Sequence, residues 1–400
     1  MNRRGFLELA IALALVTNRA PGAEWKTREQ RGSDALTLFL CGDVMTGRGI
    51  DQILPHPGDP RLHEPWVTHA AEYVRLAEQA NGPIPRPVDF SYVWGDALAE
   101  LETAAPDARI VNLETAVTRS DDPWRGKGIH YRMSPANIAC LAAARVDCCA
   151  LANNHVLDWG HAGLEETLGT LSRAGIRTAG AGRDLAQAQT PAILDVPGKG
   201  RVLVFAFGLG DSGIPPEWGA TPQRPGVALL EDLSERTVRR VARLVARAKR
   251  PRDVVVASVH WGGNWGYGVP AHHRRFAHAL VEEAGVDLVH GHSSHHPRGI
   301  EVWQDRLILY GCGDFLNDYE GIGGYEEYRG DLTLMYLPTL EVHSGRLLDL
   351  DIRPMQLRRL RLNRARPEDA RWLGEVLARE SARLDTRIER DAAGRLRWAG

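Results

Sequence analysis

The sequence has little that would anchor it in a membrane, cross-link it or draw it to nucleic acid. Apart from a short apolar run near the N-terminus, none of its 400 residues belong to a segment approaching the ~20 apolar residues of a membrane span. The five cysteines form no C-x-x-C pair, which predicts buried thiols rather than a disulfide framework or a thiolate metal site. The formal net charge of −2 gives no indication of a nucleic-acid partner.

What remains is the composition of a globular protein with many histidines. Hydrophobic residues make up 44% of the chain and charged residues 25%, which is typical of a folded domain rather than of a disordered chain. Of the 15 histidines, four lie in the stretch HGHSSHHPRGIE, residues 290–301. Because neutral imidazole is a common metal ligand, this clustering raises the question of a metal site.

The first residues are typical of an export signal. Arg3 and Arg4 precede Phe6 and Leu7, and a short apolar run from Leu9 to Val16 follows. This run is too short to be a stable anchor but suits the apolar region of a signal peptide, and the paired arginines resemble a twin-arginine signal. We therefore expect residues 1–30 to be an export signal and linker, and the protein to lie in the periplasm or cell envelope. A tail with a chance arginine pair is the alternative interpretation.

After the first 33 residues, strand-like apolar runs alternate with amphipathic helical stretches, which predicts a layered α/β fold with a mixed or mostly parallel sheet. The predicted strands are residues 35–43, 108–114, 146–155, 201–208, 253–262, 286–292 and 306–315. The predicted helices are residues 68–80, 163–175, 233–250, 272–285 and 367–384.

The sequence divides into a main domain and a short extension. We expect residues 31–356 to form the main domain, in which the Pro-rich stretch 55–95 is an insertion covering one side of a cleft. Residues 357–400 are rich in arginine and contain one predicted helix, so we expect a C-terminal helical extension packed on the domain.

Polar residues of the kinds that bind metals follow five of the predicted strands. Each has an ordinary explanation alone, such as a turn, a helix cap or a buried histidine. Open α/β sheets, however, bind ligands outside the carboxyl ends of their strands, where these side chains would meet. Carboxylate, amide and imidazole together suit Mn²⁺, Zn²⁺ or Fe. The candidate ligands are Asp43, Glu114, Asn154, His260, His292 and His295.

Six motifs follow one another along the chain: GDVMTGRG, VNLET, LANNHVLDWG, VHWGGNWGYG, VDLVHGHSSHHPRGIE and LILYGCGDFLNDYEG. In this order they closely resemble the CapA family of poly-γ-glutamate capsule-synthesis proteins, which is similar to a divergent branch of the calcineurin-like metallophosphatase superfamily. The resemblance covers roughly residues 35–355 and implies an αββα sandwich with mixed sheets and helices outside.

The resemblance also implies a role for each candidate ligand. Asp43 resembles the first metal aspartate, and Glu114 takes the position of the residue that bridges two metals. Asn154 resembles the metal-binding asparagine, with His155 beside it as a catalytic or phosphate-contacting histidine that Asp158 could hold. His260, His292 and His295 resemble the later metal histidines. The remaining pair of the histidine loop, His290 and His296, is expected only to frame the site.

Three departures from the superfamily pattern bear on the metal site. Met45 replaces the histidine of the usual Asp-x-His start, so one metal position lacks an imidazole. Two residues rather than one separate His292 from His295. Late in the chain, Gly313-Asp314-Phe315 replaces Gly-Asn-Phe and adds a carboxylate near the site.

These implications favour a metal-dependent hydrolase with two divalent ions that acts on a phosphoester or γ-glutamyl substrate. Arg48, Lys127 and Arg132 are the candidate cations for binding an anionic polymer or a small anionic substrate. The first alternative is a non-catalytic exported component that binds the polymer and works with membrane-bound capsule-synthesis partners. The second alternative is a structural metal-binding module.

Overall fold

The computed structural model describes residues 34–400, and the predicted export signal over residues 1–30 lies outside them. The strands of the described residues, in chain order, are β1 Ala35–Val44, β2 Ala108–Leu113, β3 Ala116–Val117, β4 Arg132–Met133, β5 Cys148–Ala150, β6 Arg177–Ala179, β7 Ala181–Gly182, β8 Ala192–Val196, β9 Gly200–Leu209, β10 Gly226–Val227, β11 Leu229–Leu230, β12 Asp253–His260, β13 Leu288–His292, β14 Ile300–Trp303, β15 Arg306–Leu309, β16 Asp314–Leu316, β17 Leu332–Glu341, β18 Leu347–Leu357, β19 Leu362–Arg364, β20 Ile388–Arg390 and β21 Leu396–Trp398.

The α-helices lie between these strands. Within residues 34–400 they are α1 Arg48–Ile53, α2 Ala71–Asn81, α3 Asp96–Ala104, α4 Ala139–Ala143, α5 Gly160–Arg173, α6 Leu185–Gln189, α7 Glu235–Ala248, α8 Ala271–Glu282 and α9 Pro367–Ala382. None of these helices combines the length and the apolar character that crossing a bilayer requires.

Two mixed sheets form the centre of the fold. The first has the order β20-β21-β18-β17-β1-β2-β5-β6, with β16 pairing with β1 and β19 with β18. Its strands β1, β2, β5 and β6 run parallel, whereas β17 is antiparallel to β1. The second sheet has the order β11-β9-β12-β13-β15-β14, and its strands β9, β12, β13 and β15 run parallel.

Alternating side chains of the second sheet divide between two cores, as the two-residue period of a strand requires. On β9, Val202, Val204 and Ala206 join the core shared with the first sheet. Their neighbours Leu203 and Phe205 join a second core with α7 and α8. The helices therefore cover the outer face of the second sheet, while its inner face packs on the first.

The structure confirms the predicted layered α/β sandwich. Every predicted strand and helix overlaps an observed element, although the stretch 146–155 keeps only three residues of strand, Cys148–Ala150. The C-terminal segment holds more than the predicted helix α9, because β20 and β21 extend the first sheet beside β18. In the Pro-rich stretch 55–95, the helix is Ala71–Asn81.

The carboxyl ends of the central parallel strands meet along one edge of the sandwich. Parallel register places Asp43 opposite Asp314 and beside Asn112 in the first sheet. In the second sheet, His260 lies opposite His292. Residues far apart in the chain are thus brought to one place by strand register alone.

Gly42 sets how closely β1 approaches the segment before β16. A Cβ atom at this position would lie 1.5 Å from the carbonyl oxygen of Gly313, which accepts a 3.0 Å hydrogen bond from the Asp43 amide. We expect Gly42→Ala to lower the free energy of unfolding by about 3 kcal/mol, because two backbones must move apart. Urea unfolding measures this change. Gly263→Ala, whose Cβ meets open space, is the control and should change stability little.

Candidate metal centre

One group of ligand atoms joins the two sheets. Asp43 at the end of β1, His260 at the end of β12 and His292 at the end of β13 are buried, and their ligand atoms lie within 4.8 Å of one another. The Nδ1 atoms of His260 and His292 are 2.7 Å apart, and His292 Nδ1 is 3.9 Å from Asp43 Oδ1. A carboxylate and two imidazoles are a common ligand set for Zn²⁺, Mn²⁺ or Fe.

A chain of hydrogen bonds fixes the tautomer of His292. His290 Nε2 lies 2.7 Å from the Cys41 carbonyl oxygen, so it carries a proton and donates it there. Burial lowers the pKa of His290 to about 4, so the ring is neutral and its Nδ1 accepts the Ser258 hydroxyl at 3.1 Å. The Ser258 oxygen then accepts from His292 Nε2 at 2.8 Å. The remaining nitrogen of His292, Nδ1, therefore faces the site with a free lone pair.

This assignment leaves His260 unable to satisfy both of its contacts. Burial lowers the pKa of both His260 and His292 well below the usual range, so each ring is neutral and carries one proton. His260 Nδ1 faces the lone pair of His292, while His260 Nε2 is 3.0 Å from Asn154 Oδ1, another acceptor. Whichever His260 nitrogen holds the proton, the other presents its lone pair to an acceptor, and no proton lies between the two atoms. A cation between the two acceptors would resolve this conflict.

A second group consists of three buried carboxylates, those of Asp43, Glu114 and Asp314, each with an oxygen within 4.8 Å of the others. Burial, and then repulsion by Asp314, raises the pKa of Asp43 to about 7. Burial, and then the charges of Asp43 and Asp314, raises the pKa of Glu114 well above its usual value. The residues present therefore fit a divalent cation, which would neutralise carboxylates that otherwise cannot all ionise.

Two asparagines hold this arrangement in place. Asn112 Nδ2 donates to Asp43 Oδ1 at 2.7 Å, and Asn153 Nδ2 donates to Asn112 Oδ1 at 3.1 Å. The Asn153 side-chain oxygen also accepts from the amides of His155 and Val156 at 3.1 Å. Asn153 thus links the end of β2 to the turn that carries Asn154 and His155.

His155 lies beside the carboxylates, where Asp158 and Lys127 orient it. Its Nδ1 is 2.6 Å from Asp158 Oδ2, whereas its Nε2 points toward Glu114 at 3.9 Å. Lys127 Nζ donates to Asp158 and to the Asn154 carbonyl, and the Tyr131 ring stacks on the imidazole at 3.8 Å. Because Asp158 accepts from Nδ1, the catalytically useful nitrogen Nε2 is the one that faces the site.

A cavity of about 1130 Å³ opens above these residues. Glu114, Asn154, His155, His295 and Asp314 line it at the carboxylate group. The volume exceeds the ~300–1,000 Å³ of most small-molecule pockets, so the cavity can hold an extended ligand.

The three cations expected to bind substrate have different positions. Arg48 lines the cavity, but its guanidinium pairs with Glu64 at 2.9 Å and with Asp318 at 2.5 Å. Lys127 also lines the cavity and pairs with Asp158. Arg132 does not line it, and instead lies over the Trp159 ring at 3.8 Å. Arg48 and Lys127 are therefore already neutralised by carboxylates, and Arg132 lies outside the site.

His295 belongs to neither ligand group. Its Nδ1 lies 2.9 Å from Asp314 Oδ1. Although burial disfavours the charged ring, the Asp314 carboxylate raises the pKa of His295 above its usual value. The ring therefore acts as a cationic partner of Asp314 here. The other loop histidine, His296, is buried with its Nδ1 3.1 Å from the Pro297 carbonyl oxygen.

A third group of possible ligands lies near the surface, with its ligand atoms within 4.8 Å of one another. It consists of Asp211, His272 and His273. Its carboxylate is already occupied, because Asp211 accepts from the Gly262 amide at 2.9 Å and lies 2.7 Å from His273 Nε2. These hydrogen bonds explain the contact without a metal.

The comparison with known families decides which family the chain represents. Residues 37–319 match the family described as "Bacterial capsule synthesis protein PGA_cap". The chain belongs to the PGA_cap family. The match covers the strand ends from Asp43 to Asp314 and confirms the resemblance to CapA proteins.

Similar proteins carry names that agree with this PGA_cap assignment. A probable polyglutamine synthesis accessory protein of Mycobacterium tuberculosis is 48% identical over 356 residues, which is 89% of this chain and 93% of the relative. The capsule biosynthesis protein CapA of Bacillus anthracis is 23% identical over a region that covers 78% of this chain and 68% of the relative. The PGA biosynthesis protein CapA of Bacillus subtilis is 25% identical over a region that covers 79% of this chain and 73% of the relative.

Asp314 is a possible ligand of this PGA_cap chain that the sequence pattern did not place among the candidates. Its place after Gly313 suggested a carboxylate near the site, but only the pairing of β16 with β1 shows that it faces Asp43. The signal available in the sequence was its position after an apolar run, the same signal that identified Asp43 and His260.

We predict that Glu114→Gln stabilises the metal-free protein at pH 8. The folded state of the wild type holds its carboxyl protons to higher pH than the unfolded state, so its stability falls as pH rises above the usual carboxyl range. Removing one charge should therefore raise the free energy of unfolding by about 1 kcal/mol at pH 8 and little at pH 5. Urea unfolding of chelated protein at both pH values measures this, and metal affinity should fall.

Asp51→Asn is the matched control for this prediction. Asp51 is also buried, but its carboxylate accepts from the amides of Gly58 and Ser134 and from the Asn137 side chain. An amide there would face donors, so we expect destabilisation of about 1–3 kcal/mol with metal affinity unchanged. A destabilising effect of Glu114→Gln at pH 8 as large as this would contradict the repulsion argument.

Proposed function

We propose that this PGA_cap protein is a metal-dependent hydrolase that acts on an anionic phosphoester or γ-glutamyl substrate during capsule or polyglutamate assembly. The observation that carries the proposal is the group of three buried carboxylates, Asp43, Glu114 and Asp314, which face one another. Two of them, Glu114 and Asp314, line a large cavity. A fold retains such repulsion where a cation offsets it, and clustered like charges of this kind mark functional sites.

Two cations would share Asp43 in this proposal. Asp43 belongs to both ligand groups, with His260 and His292 on one side and with Glu114 and Asp314 on the other. Asn154 Oδ1, 3.0 Å from His260 Nε2, would be a further oxygen ligand. The resemblance implied instead that Glu114 bridges the two metals. Asp314 would add a carboxylate where Met45 replaces the usual imidazole.

The cations would supply Lewis acidity and a water that ionises near neutral pH. The remaining work falls to the side chains around them. Asp158 keeps the proton of His155 on Nδ1, so Nε2 is free to take a proton on the side of Glu114 and return it to a leaving group. Lys127 stabilises the Asp158 carboxylate, and the stacked Tyr131 ring holds the imidazole plane.

The relatives support the biological setting of the proposal. The names of the Mycobacterium tuberculosis and Bacillus relatives refer to polyglutamine, capsule and PGA biosynthesis. Together with the paired arginines Arg3 and Arg4, this supports an exported protein that works on a cell-envelope polymer, alongside membrane-bound capsule-synthesis partners.

The ligand assignment is tested by elemental analysis and hydrolysis assays of protein purified after native export. Wild type reconstituted with Mn²⁺, Zn²⁺ or Fe²⁺ should hydrolyse a phosphodiester or a γ-glutamyl chain, whereas His260→Ala and His292→Ala should lose metal and activity together. His343→Ala, an exposed histidine on the turn after β17, is the control and should behave as wild type.

Other results would favour one of the alternatives. Metal-replete wild type that hydrolyses neither substrate yet binds the γ-glutamyl chain would show a non-catalytic polymer-binding component. Metal content unchanged by both histidine substitutions would rule out the proposed centre.

For His155 we predict a loss of turnover without a loss of metal. His155→Asn removes the nitrogen that faces Glu114 but leaves the ligand groups intact, so kcat should fall about 100-fold or more while metal stoichiometry is unchanged. Steady-state kinetics and elemental analysis on the same sample measure both. Turnover equal to wild type would exclude proton transfer by this residue.

A further inference from the structure

Most cations in the cavity wall are already committed to carboxylates. Lys127 and Arg48 are paired as described above. Arg329, also in the wall, pairs with Asp331 and Asp369, each at 2.8 Å. None of these three is free to neutralise an anionic ligand without losing an existing partner.

Arg358 and Arg366 differ from the others. Both line the same cavity and are exposed to solvent. Within residues 34–400, neither guanidinium has an ion pair or a hydrogen bond to a protein group. The carboxylate of Glu320 in the same wall is already used, because it accepts from the backbone amides of Arg359 and Leu360.

Sheet topology places Arg358 on the same edge as the ligand groups but at a distance from them. Strand β18 lies two positions from β1 in the first sheet, with β17 between them and antiparallel to both. Strands β18 and β1 therefore run in the same direction, and Arg358, just after β18 ends at Leu357, lies at the edge that carries Asp43. Because β17 lies between them, β18 and β1 are separated by two strand spacings, or about 10 Å.

Apolar and aromatic side chains line other parts of the cavity wall. Trp66 is 88% exposed, Ile322 51% and Tyr325 49%, and the Tyr325 ring stacks on Trp265 at 3.9 Å. Exposed aromatic and aliphatic groups of this kind are suited to contact the apolar links of a chain rather than its charged groups.

We infer that Arg358 and Arg366 form a second anion-binding subsite of the cavity, which holds a carboxylate or phosphate one or more units along a linear ligand. The ligand class is a chain whose anionic groups are joined by apolar links, with one anionic group at the carboxylate cluster and another at the arginines. The inference rests on the proposed function for the group held at the cluster, whereas the arginine subsite rests on the cavity itself.

Equilibrium binding of fluorescent oligomers tests the subsite. The probes are γ-glutamyl oligomers and glycerol-phosphate oligomers of increasing length, which separate carboxylate from phosphate as the source of the anion. Binding is measured with chelated and with metal-replete full-length protein. The variants are Arg358→Ala/Arg366→Ala and, as control, Arg243→Ala, an exposed arginine of α7 outside the cavity wall.

For wild type we expect affinity to rise with length in one oligomer series. The double variant should bind the longer oligomers of that series about tenfold more weakly and the shortest one unchanged, whereas Arg243→Ala should match wild type. Equal length dependence in wild type and the double variant, or equal weakening by Arg243→Ala, would overturn the subsite. Absence of hydrolysis with this length dependence intact would contradict the proposed hydrolase but support the subsite.

Discussion

Asp43, Glu114 and Asp314 hold three carboxylates in a space from which most water is excluded, and they cannot all ionise unless a positive charge lies among them. Among the described residues, the fold supplies only part of that charge. Lys127 is bound to Asp158, and Arg48 to Glu64 and Asp318. His295 pairs with Asp314, which leaves the other two carboxylates without a cationic partner. The unmet demand for positive charge is what makes the strand ends a candidate metal centre.

Two histidines of the second sheet, His260 and His292, are suited to bind a cation beside Asp43. A cation needs neutral imidazoles with a lone pair in a known direction, and burial together with the relay from Cys41 through His290 and Ser258 gives His292 such a lone pair. His290 therefore acts by positioning the ring of His292 through Ser258, and is not itself one of the candidate ligands. His155 is oriented in a similar way, by Asp158 rather than by a backbone carbonyl.

Much of this arrangement could be predicted from the sequence, because buried parallel strands are nearly continuous apolar runs and their ends are marked by polar residues. That pattern predicts Asp43, Glu114, His260 and His292 at the strand ends, where the structure brings them into two groups of possible ligands. It could not show that β16 pairs in parallel with β1 and brings Asp314 to Asp43, since pairing over such a sequence distance leaves no local signal. It also could not show which cations are neutralised, because the partners of Arg48 lie in other segments. The short strands β20 and β21 were missed because they are only three residues long.

The most direct test is the anomalous diffraction signal of crystals of the exported protein grown with Mn²⁺. The predicted result is a peak within about 2.5 Å of carboxylate oxygens of Asp43, Glu114 and Asp314, with a second peak beside Asp43 at His260 and His292. Saturated crystals that show a peak only at Asp211, His272 and His273, or none at all, would contradict the proposed metal centre.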